Sequence, residues 1–211
     1  MDQQAVRKFF KTLQAANPHP QSELEYVNPF TLLVAVVLSA QSTDKGVNKA
    51  TKSLFQSHQT PESFVNLGEE KLREAIKTIG LYKTKAANII KLSKIVVDQY
   101  DSKVPSTREA LESLPGVGRK TANVVLNVAF GQPTLAVDTH IFRVCNRTGL
   151  APGSTPRAVE EALEAVLPET YKLHAHHWLI LLGRYTCKAR KPECWHCPVR
   201  EWCMYEGKTE K

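Results

Sequence analysis

Four of the five cysteines in this chain lie close together near its C-terminus. They are Cys187, Cys194, Cys197 and Cys203, in the pattern C-x6-C-x2-C-x5-C. Four thiolates at such spacing are able to bind zinc or an iron–sulfur cluster. Only Cys194 and Cys197 have the short separation typical of a zinc ligand pair, so the spacing alone leaves both kinds of centre open. In either case the metal would hold together a loop that is too short to fold by itself.

A second stretch whose residues could bind a ligand is LPGVGRKT, residues 114–121. Its proline ends one helix, and Gly116 and Gly118 permit positive φ angles and a close approach of the backbone to a ligand. The following helix then begins with unpaired N–H groups and the positive end of its dipole. Together with Arg119 and Lys120, this arrangement predicts a binding site for a phosphate group. An ordinary glycine-rich connection between two helices is the alternative.

The hairpin belongs to an internal repeat. Residues 73–90, REAIKTIGLYKTKAANII, align with residues 108–125, REALESLPGVGRKTANVV, and each copy predicts a helix, a tight turn and a second helix. Lys85 in the first copy occupies the position of Lys120 in the second, but no glycine hairpin precedes it. We therefore expect Lys85 to lie at the surface or to contact a phosphate.

The hairpin LPGVGRKTA, the segment AVDTH at 136–140 and the cysteine pattern follow one another in this order. In this order and spacing they resemble the endonuclease III family of helix–hairpin–helix DNA glycosylases, and the resemblance covers essentially the whole chain. It implies a base-excision repair glycosylase with apurinic/apyrimidinic (AP) lyase activity. Such an enzyme removes oxidised pyrimidines from double-stranded DNA, acts on abasic sites and cuts the strand by β-elimination. The resemblance also implies that the four cysteines hold a [4Fe–4S] cluster.

The reaction needs an amine that attacks C1′ of the deoxyribose and passes through a Schiff base. The resemblance assigns this role to Lys120. The helix dipole, the neighbouring Arg119 and partial burial are all expected to disfavour the ammonium form of Lys120. Asp138 is predicted to be the N-cap of the next helix. By resemblance, its carboxylate assists deprotonation of the lysine and stabilises the cationic sugar that forms as the base departs.

Further residues are expected to contact DNA, because a base inside a duplex must be flipped out before it can react. The resemblance implies that Gln41 enters the vacated space and that Leu81 wedges into the opposite strand. Leu81 is an apolar side chain at the tip of a polar turn, where its exposure costs free energy. The other predicted DNA contacts are Gly116, Val117, Gly118, Arg119 and Lys191. Lys191 belongs to the cysteine loop, which also carries the cations Lys188 and Arg190.

Three alternatives compete with this interpretation. A non-catalytic helix–hairpin–helix DNA-binding module does not need the pair Lys120 and Asp138. An electron carrier needs neither the hairpin nor a basic surface. A monofunctional adenine mismatch glycosylase shares the architecture and the cysteine loop, but it uses a buried glutamate in the helix before the wedge loop and has no lysine nucleophile. The segment 31–42 contains no Asp or Glu, which argues against that enzyme.

The bulk properties agree with a protein that binds nucleic acid. The chain has 211 residues, 42% of them hydrophobic, and a net charge of +7, which favours nucleic acid or an acidic membrane face. The longest apolar run, 30–38, is too short to span a bilayer, and the N-terminus lacks the pattern of a secretory signal peptide. We expect a cytoplasmic monomer without membrane attachment, associated with the nucleoid if bacterial. Its thiols should therefore be reduced rather than paired in disulfides.

The hydrophobic pattern predicts helices and no strand, so the predicted class is all-α. Asn28 and Pro29 predict an N-cap and a first-turn proline, and Ser106 with Glu109 predicts a capping box. The resemblance implies two helical lobes, 22–132 with the hairpin and 1–21 plus 133–211 with the cysteine loop, and places Lys120 and Asp138 at the mouth between them. The predicted helices lie near 2–16, 29–38, 43–56, 69–80, 84–99, 118–130, 138–148, 156–167 and 171–185. A short helix is also predicted to start at 61, and another to start at the Ser106 capping box.

Overall fold

The computed structural model describes residues 1–211, and all of its regular secondary structure is helical. This confirms the all-α prediction. None of the helices combines the length and the hydropathy that a membrane span requires. The chain divides into two compact units, Ser22–Gln132 and Met1–Gln21 with Pro133–Lys211. Each unit has a hydrophobic core of its own.

The unit of residues 22–132 is built around one buried helix, α2 (Pro29–Ser39). Residues 30–38 of α2 are all buried, which is expected of a helix without a polar face. The predicted cap is confirmed, because Asn28 and Thr31 form a reciprocal capping box. The other helices of this unit are α3 (Asp44–Ser57), α4 (Pro61–Leu67), α5 (Glu69–Ala75), α6 (Tyr82–Tyr100), α7 (Arg108–Glu112) and α8 (Arg119–Phe130). Helices α3, α6 and α8 pack directly against α2.

The second unit contains α1 (Gln3–Ala16), α9 (Thr139–Thr148), α10 (Pro156–Val166), α11 (Glu169–Tyr185) and two 3₁₀ turns, Cys194–His196 and Arg200–Trp202. Helix α11 packs against both α1 and α9. Trp178 fixes the end of α1, because its indole Nε1 donates a hydrogen bond to the carbonyl of Asn17 at 2.8 Å. Cys145 on α9 is fully buried, and burial raises the pKa of its thiol to about 12.

Two details of the predicted helices are wrong. Thr107, rather than Ser106, caps α7, and its Oγ1 accepts a hydrogen bond from the N–H of Ala110 at 3.3 Å. Helix α5 ends at Ala75 instead of near Gly80, because the chain folds into a turn that buries both Ile76 and Ile79. In the second case the burial of two isoleucines outweighs the local helical pattern.

His177 on α11 is a buried titratable group in the core of the second unit. Burial, with a smaller contribution from the nearby His174, lowers the pKa of its imidazole to about 4. The neutral imidazole is therefore the form that the folded protein contains near neutral pH.

We expect the free energy of unfolding to decrease as the pH falls from about 6.5 to about 4, with His177 contributing on the order of 3 kcal/mol to the decrease. In this window the unfolded chain binds a proton at His177 that the folded chain does not, so acid favours unfolding. Urea unfolding at about pH 7 and about pH 4 measures the effect. The variant His177→Gln should lose this part of the pH dependence, whereas His19→Gln, at an exposed position, should keep it. Equal pH dependence in wild type and His177→Gln would contradict the assignment.

Candidate DNA-binding and catalytic site

The glycine hairpin between α7 and α8 contains two glycines with different roles. Gly116 has φ +81°, and a Cβ at this position would lie 3.0 Å from the amide nitrogen of Asn88 on α6. Gly118 has φ −96°, and a Cβ there would meet nothing within 4 Å. The prediction of a positive φ therefore holds for Gly116 only. Neither the backbone nor the packing of the chain demands a glycine at 118, and the space beside it at the start of α8 is open.

The hairpin is anchored by Val117. Its side chain is buried in the core, and its N–H donates a hydrogen bond to the carbonyl of Leu114 at 3.1 Å. The side chain and the backbone N–H of Val117 thus both contact the protein interior, which holds the two flanking glycines in place. Gly118 provides no side-chain cap for α8, so the N–H groups of the first turn face the open space beside the hairpin.

Lys120 lies in the first turn of α8 with an exposed side chain. The partial burial expected for it is not found. Arg119 precedes it and is half-buried. The structure therefore presents a primary amine to solvent directly beside the open end of a helix, where an anion would be bound.

Gln41 and Leu81 both have left-handed backbone conformations, with φ of +56° and +58°. For residues other than glycine this conformation costs about 1–2 kcal/mol, so it marks strain at both positions. Both residues are exposed, Leu81 to 60%, which is unusual for a leucine. The two turns are adjacent, because a Cβ on Gly80 would lie only 3.5 Å from the carbonyl oxygen of Gln41. The structure thus brings these two predicted site residues together.

Lys85 is not at the surface, and the expectation that it is exposed or contacts a phosphate is wrong. It is 6% exposed. Its ammonium group donates hydrogen bonds to the carbonyls of Leu38 at 2.9 Å and Ala40 at 2.6 Å, and to Oγ of Ser42 at 3.1 Å. Burial lowers the pKa of this amine. Helix α6 therefore directs Lys85 towards the end of α2 and the turn that carries Gln41.

In the other unit, Asp138 is confirmed as the N-cap of α9. Its Oδ1 accepts hydrogen bonds from the N–H groups of His140 at 2.9 Å and Ile141 at 2.8 Å. Its Oδ2 lies 2.9 Å from Nδ1 of His140. The carboxylate is 11% exposed, so it is held in one orientation with a narrow opening to solvent. The sequence analysis missed His140, whose position two residues after the cap is the only signal for its role.

Gly183 on α11 supports this arrangement. A Cβ at position 183 would lie 2.8 Å from the Cβ of His140, closer than any side-chain contact allows. The glycine therefore permits α11 to approach the first turn of α9, which carries both His140 and the cap.

The four cysteines of the C-terminal loop form no disulfide and line one cavity. Arg147, Arg200 and Lys208 also line it, and Nη1 of Arg147 lies 3.5 Å from Sγ of Cys187. Four thiolates bring negative charge that these cations offset, and thiolates are the ligands that iron–sulfur clusters require. The residues present therefore fit an iron–sulfur cluster.

Two arginines of α9 hold the start of this loop. Arg143 donates from Nε to the carbonyl of Cys187 at 3.0 Å and from Nη2 to the carbonyl of Gly183 at 2.7 Å. Arg147 donates to the carbonyls of Lys188 at 2.7 Å and Ala189 at 3.1 Å. The helix that begins at the Asp138 cap thus also positions the first cysteine segment.

The basic residues of the cysteine loop differ in availability. Lys188 forms an ion pair with Glu193 at 2.5 Å, and Glu193 also lies 3.1 Å from His196. Arg190 and Lys191 are exposed. Of the three cations in this loop, Lys188 is therefore paired, whereas Arg190 and Lys191 face solvent.

Comparison with known proteins places these features in a family. Residues 34–169 match the model of the HhH-GPD superfamily base excision DNA repair protein, and residues 187–203 match the iron–sulfur binding domain of endonuclease III. Endonuclease III of Rickettsia conorii (strain ATCC VR-613 / Malish 7) is 58% identical over 97% of this chain and 98% of the relative. The chain belongs to the endonuclease III family. It is a base-excision DNA glycosylase with AP lyase activity, and its cofactor is a [4Fe–4S] cluster.

Two solved structures of endonuclease III on DNA have the same fold. A non-covalent endonuclease III–DNA complex matches with a TM-score of 0.90 and 44% identity, over 97% of this chain and 96% of that one. A trapped endonuclease III–DNA covalent intermediate, an estranged-adenine complex, matches with a TM-score of 0.89, the same identity and the same coverage. DNA binding is therefore a property of this chain. Lys120 lies in one unit and Asp138 in the other.

We expect Gly183→Ala to destabilise the protein by about 1–3 kcal/mol, since the new methyl group forces α9 and α11 apart. Because the displaced residue is His140, excision by the folded variant should also be slower. Thermal unfolding and a single-turnover excision assay measure the two effects. Gly46→Ala in α3 is the matched control, because its Cβ would meet only Oγ1 of Thr43 at 3.1 Å. Wild-type stability in Gly183→Ala would contradict the packing argument.

Proposed function

We propose that Lys120 is the nucleophile with which this glycosylase and AP lyase removes oxidised pyrimidines from double-stranded DNA. The observation that carries the proposal is an exposed primary amine in the first turn of α8, directly after an uncapped glycine hairpin. The open helix end binds a DNA phosphate through its N–H groups, and the amine is held beside the sugar of that phosphate.

The amine reacts as follows. Its nitrogen lone pair forms a bond to C1′, and the C1′–N bond to the base breaks, so the base leaves with the bonding electrons and takes up a proton. Opening of the sugar ring gives a Schiff base between Lys120 and C1′. Loss of a proton from C2′ then expels the 3′ phosphate by β-elimination, which cuts the strand. Water hydrolyses the Schiff base and restores the amine.

Asp138 supplies the negative charge that this reaction requires. The carboxylate accepts hydrogen bonds from two backbone N–H groups at the start of α9, so it is held in a fixed orientation near the positive end of the helix dipole. We propose that it takes a proton from Lys120 and stabilises the positive charge on the sugar as the base departs. His140 holds the second carboxylate oxygen and thus acts as a positioning residue for Asp138.

Entry into the duplex is the proposed role of Gln41 and Leu81. Both are exposed on strained, adjacent turns of one unit. An amide side chain replaces the hydrogen bonds of an extruded base, and an apolar side chain stacks in the opposite strand. Gly116, Val117, Gly118 and Arg119 position the strand, and Lys191 on the cysteine loop contacts a phosphate further along it.

Cys187, Cys194, Cys197 and Cys203 are the proposed ligands of the [4Fe–4S] cluster, which when bound holds both ends of the basic loop together. Arg143 and Arg147 of α9 hold the segment that begins at Cys187 through hydrogen bonds to its carbonyl groups. Arg190 and Lys191 are thereby presented on a fixed loop.

The alternative functions are supported less well. A monofunctional adenine glycosylase needs a buried carboxylate before the wedge turn, and α2 contains no Asp or Glu. A binding module without chemistry does not need the pair of Lys120, an exposed amine beside an open helix end, and Asp138. We further propose that the enzyme acts as a monomer, because one chain carries the lysine, the aspartate and all four cysteines. We also propose that it acts in the cytoplasm, at the nucleoid, because its curated relatives include bacterial proteins.

The first test is covalent trapping. Borohydride should reduce the Schiff base between wild-type protein and an oligonucleotide with an abasic site, giving an adduct whose peptide map locates it at Lys120. Lys120→Ala should form no adduct and should not cut the strand. Lys94→Ala, at an exposed position on α6, is the control and should trap normally. An unchanged adduct yield in Lys120→Ala would refute the assignment.

The second test separates charge from structure at Asp138. Asp138→Asn keeps an oxygen that caps α9 but removes the negative charge, so the fold should persist. We expect excision to fall by about a hundredfold or more, since electrostatic stabilisation of the sugar cation is lost. DNA affinity should remain close to that of the wild type. Equal losses of affinity and turnover would show that the residue has only a structural role.

A further inference from the structure

Lys85 is a buried cation without an acidic partner. An ammonium group has three N–H donors, and all three are used, by the carbonyls of Leu38 and Ala40 and by Oγ of Ser42. All three acceptors are neutral. Removing a charge from water is costly unless its hydrogen bonds are replaced, and a hydrophobic side chain of the same length would avoid that cost.

The acceptors explain why the charge is tolerated there. Leu38 and Ala40 lie at the C-terminal end of α2, where carbonyl groups have no helical partner and the helix dipole is negative. Lys85 comes from α6, whose sequence is far from α2, so the cap is supplied by tertiary structure. A buried ammonium therefore satisfies carbonyls that would otherwise be orphaned.

The same hydrogen bonds join two strained turns. Ala40 and Ser42 flank Gln41, and Lys85 lies one helical turn after Leu81, whose carbonyl accepts the N–H of Lys85 at 3.0 Å. A left-handed residue at the tip of an exposed turn relaxes unless its surroundings hold it. Gly80 adds close packing but no hydrogen bond of its own to this contact.

We propose that Lys85 is a positioning residue that fixes the Gln41 turn and the Leu81 turn as one rigid element for entry into the duplex. This inference rests on the proposed role of Gln41 and Leu81 in base extrusion. Lys85 corresponds to Lys120 in the internal repeat, but its amine is fully occupied by hydrogen bonds, so it takes no part in bond making.

The test compares two substrates that differ in their need for extrusion. One is a duplex with a single oxidised pyrimidine, and the other is a single-stranded oligonucleotide with an abasic site, which has no opposite strand to wedge. Lys85→Met removes the ammonium and keeps the length of the side chain. Lys91→Met, at an exposed position of the same helix, removes the same charge without touching the turns.

We expect Lys85→Met to slow single-turnover excision from the duplex about ten- to a hundredfold, as misplacement of about 1 Å is known to do. Borohydride trapping on the single strand should change less than about twofold. A 2-aminopurine opposite the lesion should gain fluorescence on binding of wild type or Lys91→Met, because that base is unstacked, and should stay quenched with Lys85→Met.

If Lys85→Met does not fold, a second variant can be tested in its place. Ser42→Ala removes one of the three acceptors and should give the same selective loss on the duplex to a smaller degree. Equal effects on both substrates, or no effect on either, in the folded variant would overturn the proposal. Failure of the wild type to form an adduct with an abasic site in either a duplex or a single strand would instead refute the proposed function, so the two failures are distinguishable.

Discussion

Helix ends leave backbone groups without partners, and this constraint governs every functional element of the protein. The N-terminus of α8 stays open, because Gly118 has no side chain to close it. The N-terminus of α9 is capped by Asp138, whose Oδ1 accepts hydrogen bonds from two N–H groups. The C-terminus of α2 is closed by Lys85 from a distant helix. An open helix end is suited to bind an anion, the Asp138 cap holds a carboxylate in one orientation, and the cap by Lys85 is proposed to fix a turn.

The elements that could be predicted from sequence are those decided by near neighbours. The Asn28 and Asp138 caps follow from residues within one helical turn, and the structure confirms both. The cysteine spacing is also local. The exposure of Lys120 could not be predicted in the same way, because whether a side chain in a first helical turn is covered depends on elements elsewhere in the chain.

Lys85 shows most clearly why other features of the site could not be predicted from the sequence. In the internal repeat it has nearly the same neighbours as Lys120, yet one amine is buried and the other exposed. The difference lies in what each helix start faces, which is the end of α2 for Lys85 and open space for Lys120. His140 and Gly183 belong to the same class, because their contact joins residues that are distant in the sequence. The hydrophobic periodicity of a sequence does not reveal such contacts between distant residues.

The burial of Cys145 has a consequence for the durability of the enzyme. Oxidants react with thiolates that they can reach, whereas this thiol is protonated at every physiological pH and sealed inside the core of its unit. The other four cysteines line the cavity of the metal centre. Under the oxidative stress that creates damaged bases, Cys145 is therefore not available for conversion into a sulfenic acid, and the core of this unit keeps its packing.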